Sequence, residues 1–156
     1  MEIELLLRWM HVIGAAVLFG TGAGIAFFML TAHRSGISAI VAHTAGVVVI
    51  ADMIFTATAA IAQPITGYLL AREIGWPLDQ AWIVLSIGLY LFVGACWLPV
   101  VWIQARMRDL VRAAMVAGTD LPPAYHRLFR IWFALGVPAF GAMLAILWLM
   151  LARPDF

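Results

Sequence analysis

The chain of 156 residues is 65% hydrophobic, has a mean hydropathy of +1.04 and carries charged side chains at only 11% of its positions. This composition excludes an ordinary soluble domain and predicts a protein of the lipid bilayer. The net charge of +1 offers no basic surface for nucleic acid, so we expect no nucleic-acid partner. The single cysteine, Cys96, cannot form an internal disulfide.

Four apolar segments of membrane-spanning length follow one another with short connections. Helix 1 is predicted from about Ile3 to His33, helix 2 from after Ser38 to about Arg72, helix 3 from Ala81 to Ile103 with an amphipathic extension from Gln104 to Arg112, and helix 4 from the break at Pro122-Pro123 to about Ala152. A spanning helix needs about 20 apolar residues, so these segments use nearly the whole length. We expect one all-α domain, residues 1–156, folded as an integral membrane up-down four-helix bundle.

Three prolines lie inside these predicted helices: Pro64 in helix 2, Pro99 in helix 3 and Pro138 in helix 4. Each proline removes a backbone hydrogen-bond donor and favours a kink. We therefore expect kinked transmembrane helices, which a membrane bundle tolerates and which often widen a cavity.

The basic residues are all arginines, and they are divided unevenly between the two ends of the bundle. The end that holds the first and third connections carries six: Arg34, Arg106, Arg108, Arg112, Arg127 and Arg130. The opposite end carries Arg8, Arg72 and Arg153. By the positive-inside rule the six-arginine end is cytoplasmic and both termini lie outside. Tryptophans are expected near the interfaces: Trp9, Trp76, Trp82 and Trp148 on the outer side, and Trp102 and Trp132 nearer the inner one.

His11 of helix 1 is a candidate axial ligand for a haem iron. A haem site needs an imidazole nitrogen, a slot lined by small residues, and cations near the membrane edge for the propionates. Gly14 lies one turn deeper than His11, Arg8 one turn shallower, and Arg72 at the same outer mouth. No second histidine is expected at this depth. The alternative interpretation is a structural imidazole that donates to a carbonyl one turn away.

Helix 2 carries a polar stripe that we expect to point into the bundle. Its members all lie within about 60° of Asp52 on a helical wheel and are Asp52, Thr56, Gln63, Thr66 and Gly67. From the rise per residue, Gln63 and Thr66 lie in the same layer as His11, roughly 13 Å from the midplane. A carboxylate at membrane depth costs about 2.5 to 3.5 kcal/mol, so Asp52 needs protonation, a partner or a wet cavity. Asp52 is either a hydrogen-bonded structural acid or a group that handles protons or orients a ligand.

His33, His43 and His126 form a second histidine layer, roughly 20 Å to the other side of the midplane. These three side chains are further candidate metal ligands contributed by three helix ends. The alternative is that they are ordinary interfacial histidines without a ligand.

The residues Trp9-Met10-His11, Gly14, Phe19-Gly20 and His33 resemble the first helix of HemJ-type protoporphyrinogen oxidases and CopD-type copper-resistance membrane proteins. The whole chain is similar to a family of bacterial predicted integral membrane proteins of unknown function. That likeness is carried by Ala51-Asp52, Gln63-Pro64, Ala95-Cys96-Trp97-Leu98-Pro99 and Pro122-Pro123-Ala124-Tyr125-His126-Arg127. The resemblance implies an oligomeric four-helix bundle that binds b-type haem through His11. HemJ-type enzymes carry a lysine in a later helix, and this chain has none.

The leading hypothesis is a haem-binding protein of the bacterial inner membrane, acting in electron transfer or in redox chemistry on a tetrapyrrole or quinone. His11 would bind the iron, Arg8 and Arg72 would hold the propionates, and Asp52 and Gln63 would tune or protonate the site. One alternative is a small-solute or proton-coupled transporter that uses Asp52 and Gln63. Another is a structural membrane subunit without a cofactor.

Overall fold

The structure is a computed structural model that describes residues 1–154, and over that range it consists of helices and their connections, without a β-strand. The helices long and apolar enough to cross a bilayer are helix 1 (Glu2–Ser35), helix 2 (Ser38–Ile74), helix 3 (Ala81–Ala117) and helix 4 (Pro123–Ala152). The predicted all-α membrane bundle is confirmed. Residues 155–156, the end of the predicted domain, lie outside the described residues, and the assignment of a single domain stays a prediction.

Glycine ends the first three spanning helices. Gly36, Gly75 and Gly118 have φ angles of 67°, 81° and 65°, and each donates its backbone N–H to a carbonyl of the last turn. This left-handed conformation is inexpensive only for glycine, which explains why the chain turns at these positions. Helix 4 begins at Pro123, whose missing N–H is harmless in the first turn.

Helix 1 packs along helix 2, helix 2 packs along helix 3, and helix 3 packs along helix 4, with a lighter contact between helices 1 and 4. We call the end that holds residues 36–37 and 118–122 the arginine-rich end, and the opposite one the terminal end. The main core lies towards the arginine-rich end, where the most deeply buried side chains are Met29, Val41, Met107, Val111 and Tyr125. A smaller cluster at the terminal end contains Trp82, Ile83 and Leu149.

Helix 2 contains one π-helical turn, Asp52–Thr56, between two α-helical parts, Ser38–Ala51 and Ala57–Ile74. A π-helical turn inserts one residue into the helix and often marks a functional position. Pro64, Pro99 and Pro138 lie inside helices that continue past them. The kinks predicted at these prolines stay predictions. The π-helical turn begins at the residue that we single out as the intramembrane acid.

Candidate functional site

The polar stripe of helix 2 faces the interior of the bundle, as predicted. Asp52 is 3% exposed, Thr56 9%, Gln63 8% and Thr66 5%. These side chains form two separate clusters, one around His11 near the terminal end and one around Asp52 nearer the arginine-rich end. Between the clusters, the Tyr90 hydroxyl of helix 3 donates to the backbone carbonyl of Ala60.

The first cluster, which we call the His11 site, joins helix 1 to the second half of helix 2. The Gln63 amide donates to the backbone carbonyl of His11 over 2.8 Å. The Nδ1 atom of the His11 ring lies 3.0 Å from the Thr66 hydroxyl. The structure therefore brings together three residues that the rise per residue assigns to one layer.

Two glycines allow this close approach of the helices. A Cβ atom on Gly67 would lie 3.0 Å from Cε1 of His11, so the imidazole packs directly on the backbone of helix 2. A Cβ atom on Gly14 would lie 2.5 Å from Nε2 of Gln63. The space beside Gly14, which we predicted as part of a haem slot, is thus filled by the Gln63 amide.

The surroundings of Thr66 favour one of the two neutral forms of the His11 ring. The hydroxyl of Thr66 lies 2.9 Å from the carbonyl of Ala62 and 3.2 Å from that of Gln63, so we assign its one hydrogen to these carbonyls. Its oxygen then accepts from His11, and we assign the proton of the neutral ring to Nδ1. Nε2 keeps its lone pair and has no hydrogen-bond partner among residues 1–154. A histidine that binds a metal has this arrangement, with one nitrogen held by a protein oxygen and the other available.

The predicted propionate partners have other contacts in the structure. Arg8 forms an ion pair with Glu4 over 2.5 Å, and both side chains are well exposed. Arg72 lies over the ring of Tyr68, with its guanidinium carbon 5.9 Å from the ring centroid. Exposed pairs of this kind contribute about 0 to 1 kcal/mol, so both guanidinium groups can readily change partner.

The second cluster, which we call the Asp52 network, joins helices 2, 3 and 4. The indole of Trp97 donates to both carboxylate oxygens of Asp52, each over 3.2 Å. The side chain of Gln104 is 3% exposed. With its amide nitrogen facing the carboxylate, Gln104 donates to Asp52 over 3.2 Å and accepts from the indole of Trp132 over 3.1 Å. In this orientation Trp97, Gln104, Trp132 and Asp52 all have hydrogen-bond partners. Trp132 donates to Gln104, and Gln104 and Trp97 both donate to the buried carboxylate of Asp52.

Thr56 lies in the same π-helical turn as Asp52, and its hydroxyl is buried. Within the described part of the chain this hydroxyl has no hydrogen-bond partner. A buried polar group without a partner destabilises a fold by about 1 to 3 kcal/mol.

Trp97, Gln104 and Trp132 are functional candidates that the sequence analysis missed. Gln104 was assigned to an amphipathic extension and Trp132 to an interfacial belt, but Gln104 is 3% and Trp132 6% exposed. Neither assignment placed these two side chains in the interior of the bundle, where the structure has them. One signal was available: Trp97 and Gln104 are seven residues apart, about 20° on a helical wheel.

The three histidines near the arginine-rich end do not form one group. His33 lies 3.1 Å from the Tyr125 hydroxyl and stacks on Phe129 with 3.7 Å between ring centroids. His126 is close to His33, at 5.6 Å between ring centroids, whereas His43 is exposed and lines two grooves beside helix 2. Of the side chains that the structure describes, no three of the His, Cys, Asp and Glu type are grouped to hold a metal ion. The structure therefore does not assemble the predicted three-histidine metal site.

Four apolar helices with buried polar side chains between them define an integral membrane protein of the helix-bundle class. The chain belongs to the family described as predicted integral membrane protein (DUF2269), which matches residues 5–154. This description names no substrate, and no similar protein was found among the curated proteins or the solved structures. The family resemblance is confirmed, while the likeness of helix 1 to HemJ-type and CopD-type proteins stays a prediction.

Proposed function

We propose that this protein binds b-type haem in the membrane through His11 and acts in electron transfer or in redox chemistry on a tetrapyrrole or quinone. The observation that supports the proposal is the state of the imidazole. Nδ1 is assigned as the donor of a hydrogen bond to Thr66, whose hydroxyl in turn donates to the carbonyl of Ala62. The lone pair of Nε2 is then available to iron.

The residues of the His11 site could hold the iron of a haem through one imidazole. The backbone of His11 is bonded to Gln63 and its ring rests on Gly67, so both the position and the tilt of the imidazole are constrained. Arg8 and Arg72 lie near the same end and are exposed, so they are available to propionates. A bound haem would supply an iron that accepts and releases one electron.

Asp52 does not belong to the same site as His11. Thr66 follows Asp52 by 14 residues, a rise of about 21 Å along helix 2. The predicted role of Asp52 beside the cofactor is therefore replaced by a separate role in holding or transferring a proton. Gln63 remains in the His11 site, where it positions the backbone of the ligand.

A spectrum of the purified protein tests the proposal. We expect a Soret band, with α and β bands after reduction by dithionite, in protein prepared in mild detergent. His11→Ala should lose these bands, whereas the matched variant His126→Ala, an exposed histidine of helix 4, should keep them. A wild-type protein that stays colourless after haem is added would refute the proposal, as would a His11→Ala variant with unchanged bands.

A second candidate function is proton-coupled transport through the Asp52 network. It is supported by a carboxylate that is 3% exposed at a π-helical turn, with two donors from helix 3, Trp97 and Gln104, directed at it. We expect Asp52→Asn to abolish proton-coupled flux in proteoliposomes, because the side chain loses its exchangeable acid proton. Thr58→Val, a change at an exposed residue of helix 2, should leave flux unchanged. Flux that survives Asp52→Asn would remove this candidate.

The proposal includes a bacterial inner-membrane location, both termini outside, and assembly into a homo-oligomer. The proposed orientation is supported by six arginines at the arginine-rich end, against three at the other end. A reporter that is active only outside the cytoplasm, fused after the C-terminus, should be active. An active reporter inserted instead between helices 3 and 4 would contradict this orientation.

A further inference from the structure

Two grooves run along helix 2 near the arginine-rich end, one on each side of the helix. The first has a volume of about 400 Å³ and lies between helices 2 and 3, with Gly46, Ile50 and Arg112 in its lining. The second has a volume of about 430 Å³ and lies between helices 1 and 2, with Phe28 and Phe55 in its lining. His43 and Val47 line both grooves and so form the ridge between them.

The walls of the grooves are suited to hydrocarbon. Val47 is 52% exposed, Ile50 60% and Phe28 60%, and all three lie on helices that cross the bilayer. In a membrane such surfaces are in contact with acyl chains, since exposed apolar side chains face lipid and not water. Each groove is an open, mainly apolar depression in the surface beside the shared ridge.

The basic side chains lie at one end of this ridge. The side chain of Arg112 reaches from helix 3 to the backbone of helix 2. A Cβ atom on Gly46 would lie 3.2 Å from its Nη2 atom. His43 is exposed in the same groove. Both ion pairs found between residues 1 and 154 belong to other arginines, Arg8 and Arg108. The guanidinium group of Arg112 therefore faces the groove without a carboxylate to neutralise it.

We propose that these two grooves bind one diacyl phospholipid with an anionic head group, its phosphate on Arg112 and His43 and one acyl chain in each groove. His43 is five residues from the start of helix 2 and Arg112 five from the end of helix 3, which is the level of the head groups. Basic pockets between membrane helices bind anionic head groups in this way. The site is distant from His11 and does not depend on haem.

Native mass spectrometry of the full chain with phosphatidylglycerol or phosphatidylcholine tests the proposal. The wild-type protein should retain one phosphatidylglycerol in preference to phosphatidylcholine. Arg112→Gln should weaken that binding roughly fivefold, the effect of one cation at a membrane surface. Arg112→Lys should retain most of the binding. The matched control is Arg130→Gln, which removes the same charge from an exposed position on helix 4 outside the residues that line the grooves.

Three outcomes would overturn the proposal. Equal losses in Arg112→Gln and Arg130→Gln would indicate a general effect of net charge. Equal retention of the two lipids by the wild-type protein would show that the grooves hold neutral lipid. Displacement of phosphatidylglycerol by millimolar inorganic phosphate would show that the basic groups recognise free phosphate. A monodisperse profile of each variant in gel filtration establishes that the variant is folded.

Discussion

The two polar clusters of helix 2 are built in opposite ways. The His11 site uses two helices in close contact, is partly exposed, and leaves one ring nitrogen without a partner among the described residues. The Asp52 network uses three helices, is nearly closed to the surroundings, and directs its donors at a single carboxylate. The first arrangement can accept a ligand without losing its internal hydrogen bonds, whereas the second cannot.

This difference separates a binding role from a stabilising or proton-handling role. Buried polar groups that satisfy one another stabilise the fold, and removal of one member leaves another without a partner. We therefore expect substitutions in the Asp52 network to affect the stability of the bundle most. Substitutions in the His11 site should affect ligand binding more than stability.

The largest expected effect on stability is that of Gln104→Leu. This change leaves the indole of Trp132 without an acceptor and removes one donor from Asp52. Two buried groups lose a partner, so the free energy of unfolding should fall by about 3 kcal/mol. Unfolding in mixed micelles with increasing SDS measures this change. The comparison variant Thr58→Val should lose less than about 0.5 kcal/mol, and similar values for the two would show that the network is not stabilising.

Gly67→Ala should have an intermediate effect. The added methyl group would lie 3.0 Å from Cε1 of His11, so the ring must shift and its hydrogen bond to Thr66 is strained. We expect a loss of about 1 to 2 kcal/mol in the same unfolding measurement. The matched control is Gly20→Ala, where a methyl group meets no atom within 4 Å. The account of close packing at His11 fails if the two substitutions are equally tolerated.

Thr66→Val should have the smallest effect on stability and a distinct effect on binding. The Nδ1 proton of His11 loses its acceptor at a partly exposed position, so the expected loss is about 1 kcal/mol. Haem affinity, measured by titration, should fall by about 10-fold to 100-fold because the ring orientation is no longer fixed. Thr66→Ser keeps the hydroxyl and should restore affinity. An affinity that is unchanged in Thr66→Val would exclude an orienting role for this residue.

Much of the fold and part of the site follow from local sequence rules. The ends of the first three helices follow from Gly36, Gly75 and Gly118, which adopt a conformation that other residues avoid. The layer of His11 with Gln63 and Thr66 follows from the rise per residue, because the connection between helices 1 and 2 is short and fixes their relative height.

The rest of the site depends on how the helices are rotated against each other, which no local rule specifies. The Asp52 network needs the register of helix 3 against helix 2 and of helix 4 against helix 3. The π-helical turn adds a further rotation between the two halves of helix 2. His33 and His126 lie close together whereas His43 lines the grooves beside helix 2, and residue depth alone does not distinguish these positions.

Chemical rescue of a His11→Gly variant tests the central claim most directly. Removal of the imidazole opens a space beside Gly67 that free imidazole can enter. We predict that the purified variant lacks the Soret band of the wild-type protein after haem is added, and that millimolar imidazole restores it. Full haem bands in the variant without imidazole would contradict the claim that the Nε2 atom of His11 binds the iron, and so would a wild-type protein that does not take up haem.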